Sequence, residues 1–224
     1  PDNTSMEEIQ DALDYASDLV CLGEESITDR EREILISLYD AELKYIDDKL
    51  REFYNFFNSQ AVNEDTVFVF VSDHGDFFGK SGLWGHQGRV YNDVCHVPLI
   101  IQYPWGDGDD EEGIVELRQL CDHLNAIASG REEQISPNNE AIVEYYGLDT
   151  QIWYTPSERF DDLDSSYWEI YQCAIIDEEY KLIWDASDRV ELFDMKTDFD
   201  ETVDLSEEKS EIVSQYKDRI EKIV

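Results

Sequence analysis

The chain has 224 residues, of which 42% are hydrophobic and 12% aromatic, a composition typical of a folded protein with one large or two small domains. Its 54 acidic and 17 basic side chains give a formal net charge of −37. Such a surface repels the phosphates of nucleic acids and of anionic lipids, so we expect no nucleic-acid partner. Because no run approaches the ~18 consecutive apolar residues of a membrane helix, we expect no membrane segment.

The acidic residues are spread over the whole chain and are not gathered in one tail. Their mutual repulsion destabilises a compact state at low ionic strength, and only concentrated salt shortens the screening length to ~3 Å. This pattern predicts a carboxylate-covered protein from a halophilic organism. The alternative is an acidic surface kept for a partner. The sequence leaves open whether the compartment is cytoplasmic or extracellular.

The first half of the chain predicts one long helix and two strands. Thr28 and Glu31 form a capping box before a helix at 29–57, whose apolar stripe is expected to pack in a core. Strands are predicted at 66–71 and 97–102. The first lacks polar alternation and is therefore expected to be buried on both faces, as in the centre of an α/β sheet.

The later part of the chain changes character. A helix is predicted at 117–129, and it is followed by short strands and a last helix at 141–146, 151–154, 171–177, 180–184 and 207–223. We therefore expect an α/β fold in two parts. Residues 1–135 would form a layered sheet flanked by helices, and residues 136–224 a small antiparallel sheet with a covering helix.

A short polar segment follows the first predicted strand directly. Residues 72–76 read Ser-Asp-His-Gly-Asp, and in open α/β sheets ligands bind beyond the carboxyl ends of the strands. The carboxylate of Asp73 and the imidazole of His74 are a suitable pair for a divalent cation. Taken alone, the segment is more typical of an ordinary polar turn than of a metal site.

The surrounding segments make the motif specific. Gly-Leu-Trp-Gly-His at 82–86 and His-Val-Pro-Leu-Ile-Ile at 96–101 follow it in order. Together they resemble the sulfatase branch of the alkaline phosphatase superfamily, in which Ser-Asp-His-Gly-Glu, Gly-Leu-Trp-Gly-Lys and Arg-Val-Pro-Leu-Ile-Ile occur in this order. The helix segment at 39–50 and the stretches Tyr-Lys-Leu-Ile at 180–183 and Glu-Leu-Phe-Asp-Met at 191–195 are similar to further blocks of that family.

The resemblance implies an alkaline-phosphatase-like mixed sheet and a hydrolase of sulfate esters, either small molecules or glycans. Such enzymes use a formylglycine made from Cys or Ser and one divalent cation, commonly Ca²⁺. By position, Asp73 and His74 would be metal ligands. His86 stands where the family has a substrate-binding lysine, so it would be a catalytic or substrate-binding residue, or else a loop histidine without catalytic duty. Lys80 would bind the substrate anion or lie at the surface.

Two family features are missing from these 224 residues. No Cys/Ser-x-Pro-x-Arg motif occurs, so the chain holds no nucleophile, and no first strand ending in Asp-Asp precedes the motif. The chain also opens with Pro1. We therefore expect the C-terminal part of a sulfatase that is inactive on its own and needs the N-terminal half of the same protein as its partner.

Two alternatives remain open. The chain could come from a phosphodiesterase, phosphonate hydrolase or phosphoglycerol transferase of the same superfamily, in which case the metal would be Mn²⁺ or Zn²⁺. It could also be a non-catalytic, sulfatase-like binding module, which the histidine at position 86 and the missing nucleophile both favour.

Overall fold

The computed structural model describes residues 4–13, 28–80, 83–86, 88–106, 113–147 and 169–222. The strand predicted at 151–154 lies outside these residues. The chain is organised as two compact units, one of Pro1–Gln87 with Leu99–Pro104 and the other of Gly88–Pro98 with Trp105–Val224. The domain boundary at residue 135 stays a prediction.

The described elements include three helices of more than two turns, a single helical turn, a 3₁₀ helix and eight strands. In chain order they are α1 (Asp29–Asn58), the 3₁₀ helix (Ala61–Asp65), β1 (Phe68–Val71), β2 (Phe77–Phe78), β3 (Trp84–Gly85), the helical turn (Asn92–Cys95), β4 (Leu99–Gln102), α2 (Leu117–Ala128), β5 (Glu140–Tyr145), β6 (Gln172–Asp177), β7 (Tyr180–Asp185), β8 (Val190–Asp194) and α3 (Ser210–Ile220). Within the described part of the chain, none of the helices has the length and hydropathy needed to traverse a bilayer.

Helix α1 begins at the predicted capping box. The Thr28 hydroxyl accepts the backbone N–H of Glu31 at 3.2 Å, and the Glu31 carboxylate accepts the backbone N–H of Thr28 at 2.8 Å. Two donors that the first helical turn would leave unpaired are thereby satisfied. The helix predicted at 29–57 is confirmed.

The apolar stripe of α1 is covered only near the two ends of the helix. Ile34 and Leu35 are buried with Trp84, and Phe57 packs on Phe68 of β1 with ring centroids 5.7 Å apart. Leu43, in the middle, is 48% exposed. The expectation that the whole stripe packs in a core is wrong for the described residues, because the β2–β3 hairpin and β1 contact α1 only at its ends.

Strands β1 and β4 confirm the two strands predicted in the first half of the chain. They pair antiparallel, with Phe70 opposite Ile100, as a two-stranded sheet of the described residues. The expectation that the first strand is buried on both faces is wrong here. Val71 is 38% exposed and Ile100 58% exposed, and they lie on opposite faces of a sheet with no further described strand beside it.

The second unit contains a four-stranded antiparallel sheet in the order β5-β6-β7-β8. Helix α3 covers one face, and its Tyr216 and Ile220 share a buried cluster with Cys173, Ile175 and Leu182 of the sheet. This is the predicted small antiparallel sheet with its covering helix. Strand β8 was not predicted, because Val190–Asp194 shows only a brief apolar alternation.

A buried ion pair ties this sheet to the segments before and after it. The Lys181 ammonium lies 2.6 Å from the Glu201 carboxylate, and both side chains are at most 1% exposed. Lys181 also donates to the Asn92 side-chain oxygen at 2.8 Å, and Glu201 accepts the backbone N–H of Asn92 at 2.7 Å. The three residues therefore form a closed polar network inside the second unit.

Removing the charge of Glu201 should destabilise the protein, because Lys181 would remain buried without its counter-charge. We expect Glu201→Gln to lower the free energy of unfolding by roughly 3 kcal/mol, measured by urea denaturation. Glu179→Gln is the matched control, since it breaks the solvent-exposed pair with Lys196 at 3.2 Å and should change nothing measurable. Equal effects of the two substitutions would contradict this assignment.

Candidate metal site

The two predicted metal ligands lie side by side in the turn that leaves β1. The Asp73 carboxylate is 3.8 Å from Nε2 of His74, and the Asp73 side chain is 88% exposed. On the other side of the imidazole, Nδ1 lies 3.0 Å from the carbonyl oxygen of Gly75. Because a carbonyl only accepts, this hydrogen bond needs Nδ1–H and leaves the lone pair of His74 on Nε2.

The turn itself is held by short-range hydrogen bonds. The Ser72 hydroxyl donates to the His74 carbonyl oxygen at 2.8 Å, and the backbone N–H of His74 donates to the Asp73 carboxylate at 3.0 Å. The second contact uses one Asp73 oxygen and leaves the other toward the imidazole. Both predicted ligands therefore share one solvent-accessible side of the turn.

The β2–β3 hairpin brings a third and a fourth polar residue to the same place. Its register pairs Phe77 with Gly85, so that Asp76 and His86 are the next residues along the two strands. Nδ1 of His86 lies 3.2 Å from the Asp76 carboxylate. The His86 ring stacks on that of His74, with centroids 4.1 Å apart and 25° between the planes.

The structure thus assembles a group that the sequence analysis did not predict. One ligating atom from each of His74, Asp76 and His86 lies within 4.8 Å of the others. Asp76 was missed because it was considered only as part of the motif at 72–76. The available signal was the apolar pair Phe77–Phe78 followed after a short turn by the apolar pair Leu83–Trp84, which is typical of a short hairpin.

Helix α1 supports the hairpin that carries His86. The Arg32 guanidinium donates to the carbonyl oxygen of Phe78 at 2.6 Å, and the Tyr39 ring packs edge-on against that of Phe78 with centroids 4.8 Å apart. Burial, and after it the negative charge of Asp76, raise the pKa of the Tyr39 hydroxyl. Tyr39 therefore stays protonated within electrostatic range of the group.

The other sequence candidates lie elsewhere. Lys80 is part-buried in the turn of the hairpin, where its carbonyl accepts the backbone N–H of Leu83 at 2.9 Å, so its substrate-binding role stays a prediction. His96 packs edge-on against Phe199 at 4.9 Å. His123 is buried in α2.

Comparison with known proteins identifies the family. The family model described as Sulfatase matches residues 10–123, about half of the chain, including the turn after β1 and the hairpin. The chain belongs to the sulfatase family. A relative described as the uncharacterized sulfatase YidJ of Escherichia coli K12 is 24% identical over 161 residues, which cover 72% of this chain and 32% of that protein. This sulfatase chain therefore spans about a third of the length of that relative.

Solved structures show the same fold. A 2-O GAG sulfatase superposes with a TM-score of 0.64 at 16% identity, covering 88% of this sulfatase chain and 44% of that chain. The phosphonate monoester hydrolase of Agrobacterium radiobacter gives a TM-score of 0.66 at 21% identity, covering 88% and 42%. The predicted α/β class with an alkaline-phosphatase-like sheet and a small antiparallel sheet is confirmed.

Gly79 is the residue on which the hairpin geometry depends most directly. Its φ is +89°, and a Cβ there would lie 2.9 Å from Cζ2 of Trp84. Gly130 has a similar φ of +86° but open space around it. We expect Gly79→Ala to lower the urea midpoint more than Gly130→Ala, because both strain the backbone and only the first also collides with Trp84. An equal decrease of the urea midpoint in both variants would contradict this expectation, because it would show that the hairpin accommodates the added methyl group beside Trp84 at no further cost.

Proposed function

We propose that this chain is part of a sulfuric ester hydrolase that acts with one divalent cation, Ca²⁺, held in part by Asp73 and His74. The observation that carries the proposal is the exposed pair of these two side chains, with 3.8 Å between carboxylate and imidazole, directly after β1 of a sulfatase-family chain. The position matches the ligand side of an α/β sheet.

The donor set of this turn suits a divalent cation. Asp73 supplies an exposed, unshielded carboxylate, and His74 offers the Nε2 lone pair that its hydrogen bond to Gly75 leaves available. Ca²⁺ takes six to eight oxygen ligands in proteins, so the pair accounts for only part of a coordination shell. When bound, the cation would stabilise negative charge on the oxygens of the ester as a Lewis acid.

His86 and Lys80 are the proposed substrate-binding residues, with His86 as the catalytic one. Nδ1–H of His86 faces the Asp76 carboxylate, so the doubly protonated ring has Nε2–H to donate a hydrogen bond to an anionic oxygen or a proton to a leaving group. Lys80 lies in the hairpin turn, at the opposite end of β2 from Asp76, and its proposed role in binding the substrate anion rests on the family resemblance.

The remaining ligands and the nucleophile would come from an N-terminal half of the same protein. This chain covers 44% of the length of the 2-O GAG sulfatase that it resembles. In agreement with such a partner, Tyr45 and Phe56 of α1 and Ile100 of β4 are at least 58% exposed. Burying these side chains on another part of the protein would stabilise the first unit.

A second candidate is the hydrolysis of phosphonate monoesters or phosphodiesters, with Mn²⁺ or Zn²⁺. The similarity in fold to a phosphonate monoester hydrolase favours it. A non-catalytic binding module is the third candidate, and it differs from the other two by predicting no turnover of any ester.

The direct test compares ester hydrolysis by this chain with that by the gene product that contains it. We expect the complete protein to hydrolyse an aryl sulfate with added Ca²⁺ faster than an aryl phosphonate or a phosphodiester, and this chain alone to hydrolyse none. In the complete protein, Asp73→Asn should lower the rate by at least tenfold, the scale expected for loss of a metal-site group. Asp65→Asn, an exposed control on the same unit, should not.

The preference between substrates decides between the enzymatic candidates. Faster turnover of the phosphonate with Mn²⁺ or Zn²⁺ would replace the sulfatase proposal with the second candidate. No turnover of any of the three esters by the complete protein would favour the binding module.

We also propose adaptation to high salt, on the basis of the net charge of −37. Because the Debye length falls from ~30 Å at 0.01 M to ~3 Å at 1 M salt, repulsion among the surface carboxylates is screened only at high concentration. The melting temperature of the chain should therefore rise steadily from millimolar to molar KCl. A melting temperature that is flat or falls over this range would contradict the proposal.

A further inference from the structure

The group formed by His74, Asp76 and His86 has a ligand chemistry different from that of the Asp73–His74 pair. Two of its three ligands are imidazoles, and all three ligating atoms lie within 4.8 Å of one another. Among the residues that the structure describes, it is the one group of three such side chains at this spacing.

We propose that His74, Asp76 and His86 bind a transition-metal ion of the Zn²⁺ or Co²⁺ class. The inference goes beyond the proposed function, because Asp76 and His86 are not ligands of the proposed Ca²⁺ site. The two sites share the single Nε2 lone pair of His74 and are therefore occupied one at a time. It gives the histidine that stands in the place of the family lysine a role as a metal ligand.

The choice of metal follows from the donor atoms. Imidazole nitrogen suits Zn²⁺, Cu²⁺, Ni²⁺ and Fe²⁺, whereas Ca²⁺ and Mg²⁺ prefer sets made of oxygen alone. Two imidazoles and one carboxylate on one side of an ion form a common binding set for transition metals and leave the other positions to water or a ligand. A group in which two of the three donors are imidazoles is therefore a poor Ca²⁺ site.

The surroundings of the group favour binding at this place. The Gly75 carbonyl fixes His74 as the tautomer with its lone pair on Nε2, the outer-shell contact that metal-binding histidines usually have. The hairpin register holds Asp76 and His86 as neighbours, 3.2 Å apart, before any metal arrives. Because the fold already orders these side chains, metal binding loses less of their conformational entropy.

The spacing needs only a small adjustment. Ligands at ~2.1 Å from a tetrahedral ion stand ~3.4 Å apart, so the widest separation in the group, 4.8 Å, must contract. The side chains of Asp76 and His86 are 30% and 46% exposed, and they can rotate without displacing a packed core. The net charge of −37 further raises the local concentration of cations.

Metal binding would also settle the protonation of His86. With the metal on Nδ1 in place of the hydrogen bond to Asp76, the ring proton lies on Nε2, and the metal-bound ring carries positive charge. A fixed N–H donor would then stand at the position where the family has a permanently cationic lysine.

The experiment titrates Co²⁺ into this chain without added Ca²⁺ and follows the visible absorption of Co²⁺. Co²⁺ with imidazole ligands in four- or five-coordination absorbs far more strongly than Co²⁺ bound octahedrally to surface carboxylates. We expect a strong band that saturates at one equivalent and disappears when Zn²⁺ is added.

The variants identify the ligands. His86→Lys and Asp76→Asn should each weaken Co²⁺ binding at least tenfold, while Asp73→Asn and His96→Asn should retain it. Circular dichroism of each variant shows that it is folded, and Asp76→Asn keeps the shape of the side chain should His86→Lys disturb the hairpin.

Two results would overturn the inference. In one, Co²⁺ produces only the weak octahedral band, or binds equally well to the wild-type chain and to both His86→Lys and Asp76→Asn. In the other, Asp73→Asn abolishes the strong band, which would mean that the bound Co²⁺ is held by Asp73 and His74 and not by Asp76 and His86. A Co²⁺ failure with an intact Ca²⁺-dependent esterase in the complete protein would leave the proposed function standing.

Discussion

The candidate site depends on the register of a hairpin of four paired residues. Because Phe77 lies opposite Gly85, the residues just outside the pairing, Asp76 and His86, must meet, and a slip of one residue would turn His86 to the other face. Gly79 allows the turn, and the packing of Trp84 with Ile34 fixes the hairpin against α1. A small apolar contact thus controls the position of the polar side chains.

The second unit rests on a different constraint. Each strand of its sheet pairs with the next described strand along the chain, so β6, β7 and β8 are joined by contacts that are short in sequence. Lys181 at its centre would be costly to bury alone, and Glu201 and Asn92 complete its interactions. The segments at 180–183 and 191–195, which resemble further blocks of the family, lie in β7 and largely in β8.

Local signals in the sequence were sufficient for much of the fold. The capping box at Thr28 set the start of α1, because a cap acts within one helical turn, and the polar turns between short apolar segments located β5, β6 and β7. The turn after β1 was also predictable, since Asp73 and His74 directly follow an apolar strand.

The features that could not be predicted depend on contacts between distant residues. Whether β1 is covered on both faces depends on which strands flank it, and the sequence of β1 alone does not show which strands those are. The meeting of Asp76 with His86 depends on hairpin register, and two-residue strands are too short for a periodic pattern. For the same reason His86 could be assigned only by its place in a motif.

X-ray diffraction from crystals soaked in Zn²⁺, with anomalous scattering measured at the zinc edge, tests the central claim most directly. The account predicts one strong peak within bonding distance, ~2.0–2.2 Å, of His74, Asp76 and His86 together. A peak held by Asp73 without His86, or zinc found only among scattered surface carboxylates, would contradict it.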